Sequence, residues 1–146
     1  MPPRRDLLFV AAQALLLAAL ALDPELGWRP LRGLPWIGWT LCGLSVAFGT
    51  LAVLQLGTSL TPWPTPRAGS ALVTEGTYRV ARHPIYASLI AFAVGLALAT
   101  GSPWRLLVAA ALYVLFCRKA RYEEALLRER YAGYEAYARE VGRFGW

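Results

Sequence analysis

Two short stretches hold most of the side chains in this sequence able to do chemistry. The first is Glu75-Gly76-Thr77-Tyr78-Arg79-Val80-Ala81-Arg82-His83-Pro84-Ile85-Tyr86, which contains the only histidine of the chain. The second is Arg118-Lys119-Ala120-Arg121-Tyr122-Glu123-Glu124-Ala125-Leu126-Leu127. Carboxylates, an imidazole, cations and phenols can together grip a charged small molecule. Ionisable groups beside an apolar medium are costly to keep, which makes such clusters functional candidates. Each also has a plainer explanation. His83 before a proline can simply start a helix at an interface. Glu123 and Glu124 can be solvated and paired with Lys119, Arg121 or Arg128 at helical spacing. Tyr131, Tyr134 and Tyr137 recur every three residues and suit an interfacial stripe of an amphipathic C-terminal helix.

Helix geometry predicts that the two clusters meet. Pro84 is suited to the first position of a helix, and Gly76 permits a tight turn before it. Gly101-Ser102-Pro103 reads as a turn, with Ser102 as N-cap and Pro103 as the first residue of the next helix. At ~1.5 Å per residue, the legs from His83 to Gly101 and from Pro103 to Glu123 are about 27 and 30 Å. An antiparallel hairpin therefore brings His83 and Glu123 to similar depth.

The medium around that hairpin follows from composition. In 146 residues, 57% are hydrophobic and 16% charged, and mean hydropathy is +0.41, which is wrong for an ordinary soluble domain. Residues 7–22, 33–66, 84–104 and 106–117 carry no charge. The second and third meet the ~20 residues needed to cross a bilayer. The first is shorter, and the fourth crosses only if its helix begins at Pro103 and runs past Arg118, with Arg105 snorkelling to the near surface. The expected fold is all-α: one membrane-embedded domain over 1–146, with spans near 7–22, 36–57, 84–100 and 103–117. The last two form a hairpin, and a cytoplasmic amphipathic C-terminal helix follows.

The net charge of +6 comes from fourteen arginines and Lys119. Arg4, Arg5, Arg67, Arg79, Arg82 and every cation from Arg118 onward fall on one side, leaving Arg29, Arg32 and Arg105 on the other. That is the positive-inside pattern, and it predicts cytoplasmic termini and a cytoplasmic loop over 58–83. It makes nucleic acid a poor explanation of the charge. Pro62, Pro64 and Pro66 stiffen the start of that loop. Arg4 and Arg5 ahead of an apolar run ending in Ala19-Leu20-Ala21 also fit a cleaved signal, but the run is slightly long for one. Cys42 and Cys117 lie in apolar runs and read as packing residues, and a single histidine leaves no metal framework to assemble.

The clusters resemble those of the isoprenylcysteine carboxyl methyltransferases and the related membrane phospholipid methyltransferases. The resemblance runs from Leu56-Gly57 through Leu72-Val73-Thr74-Glu75-Gly76-Thr77-Tyr78, Arg82-His83-Pro84-Ile85-Tyr86 and Glu123-Glu124-Ala125-Leu126-Leu127. It ends in Tyr134-Glu135-Ala136-Tyr137 and Val141-Gly142-Arg143-Phe144. The pairing of R-H-P-x-Y with a later E-E-x-x-L is more specific than either alone. The resemblance implies an integral-membrane enzyme moving a methyl group from S-adenosylmethionine to a membrane-accessible acceptor: an isoprenylcysteine-like carboxylate, a lipid amine, or a small thiol or amine. It implies a cofactor pocket of Leu72, Val73, Tyr78, His83, Pro84, Ile85, Tyr86 and Glu123. Lys119 would face the acceptor, and Arg82 and Glu124 would act in support. No Rossmann G-x-G-x-x-G is present, and this family needs none.

A carboxylate such as Glu123 suits the cofactor's ammonium or ribose hydroxyls, His83 and the backbone near Pro84 its adenine or carboxylate, and Tyr78 or Tyr86 its sulfonium. Nothing names a general base. Ser88 stands where the family commonly has glycine, and no proline follows Arg143. The compact length and arginine bias fit a bacterial cytoplasmic membrane. The alternative is a catalytically silent membrane scaffold or partner-binding protein that keeps the same hairpin. A transporter is disfavoured because the first two spans hold little that is polar beyond Gln13, Thr40, Ser45, Thr50 and Gln55.

Overall fold

The computed structural model describes residues 3–24, 34–66 and 69–145. Among these residues the secondary structure is helical throughout, with no strand: α1 (Arg4–Ala21), α2 (Pro35–Leu56), α3 (Pro84–Thr100), α4 (Pro103–Arg130) and α5 (Tyr134–Glu140), with 3-10 turns at Gly57–Ser59 and Gly76–Arg79. The expected Arg29 and Arg32 of the outer connection lie outside the described residues.

The hairpin forms as its turn residues require. Gly101 takes φ +64°, Ser102 Oγ accepts from the Arg105 backbone N–H at 3.3 Å, and Pro103 opens α4. Arg105 finds protein partners at this end of α4. Its guanidinium pairs with Asp23 at 3.1 Å and donates to the Leu20 carbonyl, while Ser102 Oγ also bonds Asp23 at 2.7 Å. Trp104 donates its indole N–H to the Ala19 carbonyl at 2.9 Å, so this end of α1 is fastened to the start of α4.

α3 packs on α2 and α4, and α1 on α4. The core between α1, α3 and α4 is apolar, built on Leu20, Ile90, Ala93, Val108, Leu112 and Phe116. The α2–α3 contact is of another kind, backbone against backbone. A Cβ on Gly38 would meet the Ala99 nitrogen at 2.3 Å, and one on Gly95 would meet the Gly38 carbonyl at 2.9 Å. Small residues at a crossing point allow such close approach. Cys42 sits there, buried, with its thiol toward the Phe92 carbonyl, a packing role as expected.

Pro35–Ser59, of mean hydropathy 1.8, is the one helical stretch among the described residues long and apolar enough by itself to cross a membrane. Pro84–Thr100 is apolar but shorter. α1 carries Arg4, Arg5 and Asp6 in its first turn. α4 has 28 residues, about 42 Å at ~1.5 Å per residue, and its second half is polar. That second half carries Lys119, Glu123 and Glu124 to the end where α3 begins.

Candidate functional site

Pro84 occupies the first position of α3, with His83 as its N-cap. The His83 backbone is non-helical (φ −125°, ψ 66°), and its N–H donates to the Arg143 carbonyl at 2.9 Å, while Arg82 N–H donates to the Gly142 carbonyl at 3.0 Å. The C-terminal tail thus returns to clamp the entry to α3. The His83 imidazole, buried, stacks on the Tyr86 ring at 5.2 Å, and Tyr86 stacks on Phe116 at 4.7 Å. Tyr86 donates its hydroxyl to Glu123 Oε2 at 2.8 Å, and His83 Nδ1 lies 3.7 Å from the same oxygen. His83 and Glu123 therefore stand at one depth, as the leg lengths predict.

Glu124 faces elsewhere. It is 1% exposed, and both carboxylate oxygens are engaged by Arg143, at 2.8 Å each, with Arg82 Nη2 at 3.0 Å and His83 Nε2 at 3.3 Å. Arg82 further donates to the carbonyls of Ala138 and Val141. Burial alone would raise the Glu124 carboxyl, but hydrogen bonds from Arg143, His83 and Arg82 outweigh it and hold the group well below the usual carboxylate range. The same pairing raises the Arg143 guanidinium. The solvated, helix-paired reading of Glu124 is therefore corrected: its i,i+4 partner Arg128 is only a distant 3.8 Å contact, and long-range partners dominate.

Between these helices and the loops lies a cavity of about 340 Å³. Leu72, Val73, Tyr78, His83, Pro84, Ile85, Tyr86 and Glu123 all line it, as do Lys119 and Arg82; Glu124 lies behind the wall. Lys119 is 2% exposed, donates to Gln13 Oε1 at 2.7 Å and to the Pro62 carbonyl at 3.4 Å, and sits 5.1 Å from the Tyr86 ring centre. A cation over an aromatic face within ~6 Å is an attractive arrangement.

The remaining wall is the loop after α2, held at several points. Asp6 Oδ2 accepts from the Thr65 N–H at 3.2 Å, and Arg130 donates to the Pro66 carbonyl at 3.2 Å. Tyr131 donates to the Ser70 carbonyl and Tyr137 to the Tyr78 carbonyl, each at 2.6 Å. Gln55 Oε1 accepts from Thr77 N–H and Oγ1 at 2.8 and 2.6 Å. The Gly76 turn makes this approach feasible. Its φ is +61°, and a Cβ there would meet the Gln55 amide at 2.3 Å.

Tyr131, Tyr134 and Tyr137 all line the cavity, and Tyr134 is buried, which speaks against the alternative reading of them as an interfacial stripe. The tail folds back under Arg82 and turns these rings inward. Burial pushes the Tyr137 phenol up to about 12, and Tyr78 and Tyr134 higher still. All three are neutral hydroxyl donors at physiological pH. Sequence reasoning missed Gln13, Asp6, Thr65 and Arg143 as parts of this assembly. Gln13 carried a usable signal, because a polar side chain inside an apolar run calls for a partner. Arg143 stood in the resembling ending Val141-Gly142-Arg143-Phe144, but nothing there pointed to Glu124, a partner distant in sequence.

A model of the phospholipid methyltransferase family matches residues 34–133. The chain belongs to that family. The match includes both clusters, and the family's membership implies membrane methyltransferase activity in general. No curated protein matches the chain. The family's segment leaves out α1 and the tail, yet in this member Asp6 and Gln13 of α1 and Tyr134, Tyr137 and Arg143 beyond α4 complete the cavity or brace its wall.

Proposed function

We propose that this chain is an integral-membrane enzyme that methylates a lipid-like or small membrane-accessible acceptor with S-adenosylmethionine. The observation that carries the reading is convergence: every residue assigned to the cofactor by resemblance lines one cavity, with Lys119 on the same wall. The donor set suits such a ligand. Glu123 accepts from Tyr86 through one oxygen and has lone pairs left for an ammonium or ribose hydroxyls. His83 turns Nδ1 toward Glu123, while Nε2 lies 3.3 Å from Glu124 behind the wall. Leu72, Val73 and Leu127 supply apolar wall.

S-adenosylmethionine, when bound, would supply an electrophilic methyl group that the acceptor attacks in line as the methyl–sulfur bond breaks and S-adenosylhomocysteine leaves as a thioether. The chain's part is alignment in a water-poor site. With His83 and Phe116 stacked against Tyr86 and Lys119 beside it, Tyr78 is the ring best suited to face a second cation. Lys119, tethered by Gln13, is placed to hold a negative acceptor group. A carboxylate acceptor needs no base, whereas an amine or thiol must lose a proton. We assign no residue to that step.

Four crossings, with both termini in the cytoplasm of a bacterium, fit the arginine distribution. They also fit the apolar side chains that α1, α2 and α4 turn outward, among them Leu8, Leu15, Leu44, Leu54, Leu106 and Leu107. Calorimetric titration of the detergent-purified protein with S-adenosylhomocysteine tests the proposal. Saturable binding is expected in the wild type and is expected to vanish in Glu123→Ala. No binding by a well-folded wild type would favour the silent scaffold.

A further inference from the structure

Lys119 is the only lysine of the chain, and its surroundings differ from those of the buried arginines. Arg82, Arg105 and Arg143 each meet a carboxylate at 3.1 Å or less. Among the described residues Lys119 has no such partner. Its Nζ meets neutral groups: Gln13 Oε1 at 2.7 Å, the Pro62 carbonyl at 3.4 Å and the Tyr86 ring, 5.1 Å from its centre. Glu123 stands one turn further along α4 and lines the same cavity, but its Oε2 takes the Tyr86 hydroxyl. Lys119 is nonetheless 2% exposed. A buried ammonium without a counter-ion is costly, a ring face offsets only part of that cost, and lysine responds by giving up its proton. The neutral amine fits the frame: two N–H groups serve Gln13 and Pro62, and one lone pair is left over. Charge in the cavity favours the same state. Glu123 is the one carboxylate among its described lining residues, whereas the methyl donor carries a sulfonium and a protonated amine acceptor adds another cation.

We propose that Lys119 is the general base that takes a proton from an amine or thiol acceptor before its methylation. The assignment rests on the methyl-transfer reading of the cavity. Protonated, Lys119 suits a carboxylate acceptor; held as an amine, it suits an acceptor with a proton to lose. Its lone pair takes the proton of the acceptor's ammonium or thiol group, which leaves the acceptor with a free pair. That pair forms the bond to the methyl carbon while the electrons of the methyl–sulfur bond stay on sulfur. Lys119, now an ammonium held by Gln13 and Pro62, returns its proton to water after the product leaves. Gln13 belongs to α1, outside the residues that the family model matches, so the setting of the base comes from beyond that segment.

With a single lysine, amine chemistry reads this residue directly. The detergent-purified full chain is treated with trace acetic anhydride at a series of pH values, and the Lys119 peptide is quantified by mass spectrometry. Asp6 of α1 and Glu123 of α4 both favour the ammonium, and Tyr86 of α3 faces it with a neutral ring. Even so, the inflection of acetylation is expected at least about one pH unit below the ordinary lysine value of ~10.4. An inflection at the ordinary value or above overturns the base. Gln13→Glu sets a carboxylate at hydrogen-bond distance and is expected to move the inflection up by about one unit or more. No movement would show that Gln13 does not set the proton affinity. Lys119→Arg keeps the charge but cannot give up the proton. With dodecylamine as probe acceptor, it is expected to bind S-adenosylhomocysteine like the wild type and to lose at least about tenfold in methyl transfer, with recovery as pH rises. Full turnover by Lys119→Arg at neutral pH would show that a cation suffices and overturn the base. Titration with S-adenosylhomocysteine separates the two readings: no binding by the wild type retires methyl transfer and the base with it, whereas binding with an ordinary inflection retires the base alone.

Discussion

Glu123 and Glu124 are neighbours on α4, yet they belong to different regions of the molecule. One step along a helix turns a side chain by about 100°. Here that turn separates a cavity wall from a buried junction. Glu123 is 25% exposed, meets a tyrosine hydroxyl and keeps room for a ligand. Glu124 is sealed among Arg82, Arg143 and His83, and joins α4 to the tail and to the start of α3. The same functional group therefore lines a cavity at one position and braces the fold at the next. The junction also holds His83 from behind while Tyr86 and Glu123 meet it from the front.

The contrast breaks most visibly at the junction. Glu124→Ala leaves two guanidiniums without their buried counter-charge, and removing one member of such a pair costs about 3–5 kcal/mol. Chemical or thermal unfolding in detergent is expected to show that loss. Glu123→Ala, at a partly exposed site, is expected to move stability by less than about 1 kcal/mol while abolishing ligand binding. Comparable destabilisation by both variants would erase the distinction.

Acid sharpens the comparison further. The folded Glu124 carboxyl lies below its ordinary value of 4.5, so in that window the unfolded chain binds the extra proton. Its contribution is complete above the ordinary carboxylate range and is lost as pH falls toward the depressed folded value. The gap in thermal midpoint between the wild type and Glu124→Gln is therefore expected to narrow as pH drops from 7 toward 3. A gap independent of pH would show that the carboxylate charge is not what binds the junction.

The smallest expected effect lies on the cavity's tyrosine side. Tyr137→Phe removes the hydroxyl that donates to the Tyr78 carbonyl, worth about 1 kcal/mol for a typical hydrogen bond. The wild type is also expected to lose this contribution as pH rises from about 10 toward the folded value of about 12, where the phenol ionises. A denaturation series at neutral and alkaline pH reads both.

Much of this was legible in the residues themselves. Pro84, Gly101, Ser102 and Pro103 set where α3 begins, turns and gives way to α4, because fixed proline φ, a left-handed glycine and a capping hydroxyl act locally. Rise per residue then placed His83 opposite Glu123. The all-helical character and the apolar surface followed from composition and charge-free runs in the same way. Tertiary structure alone decided which side of each helix faces what. It put Gln13 against Lys119 and Asp6 against Thr65, turned Tyr131, Tyr134 and Tyr137 inward, and returned Arg143 to Glu124. These contacts join residues far apart in the chain, and hydrophobic periodicity carries no record of a polar partner supplied by a distant element.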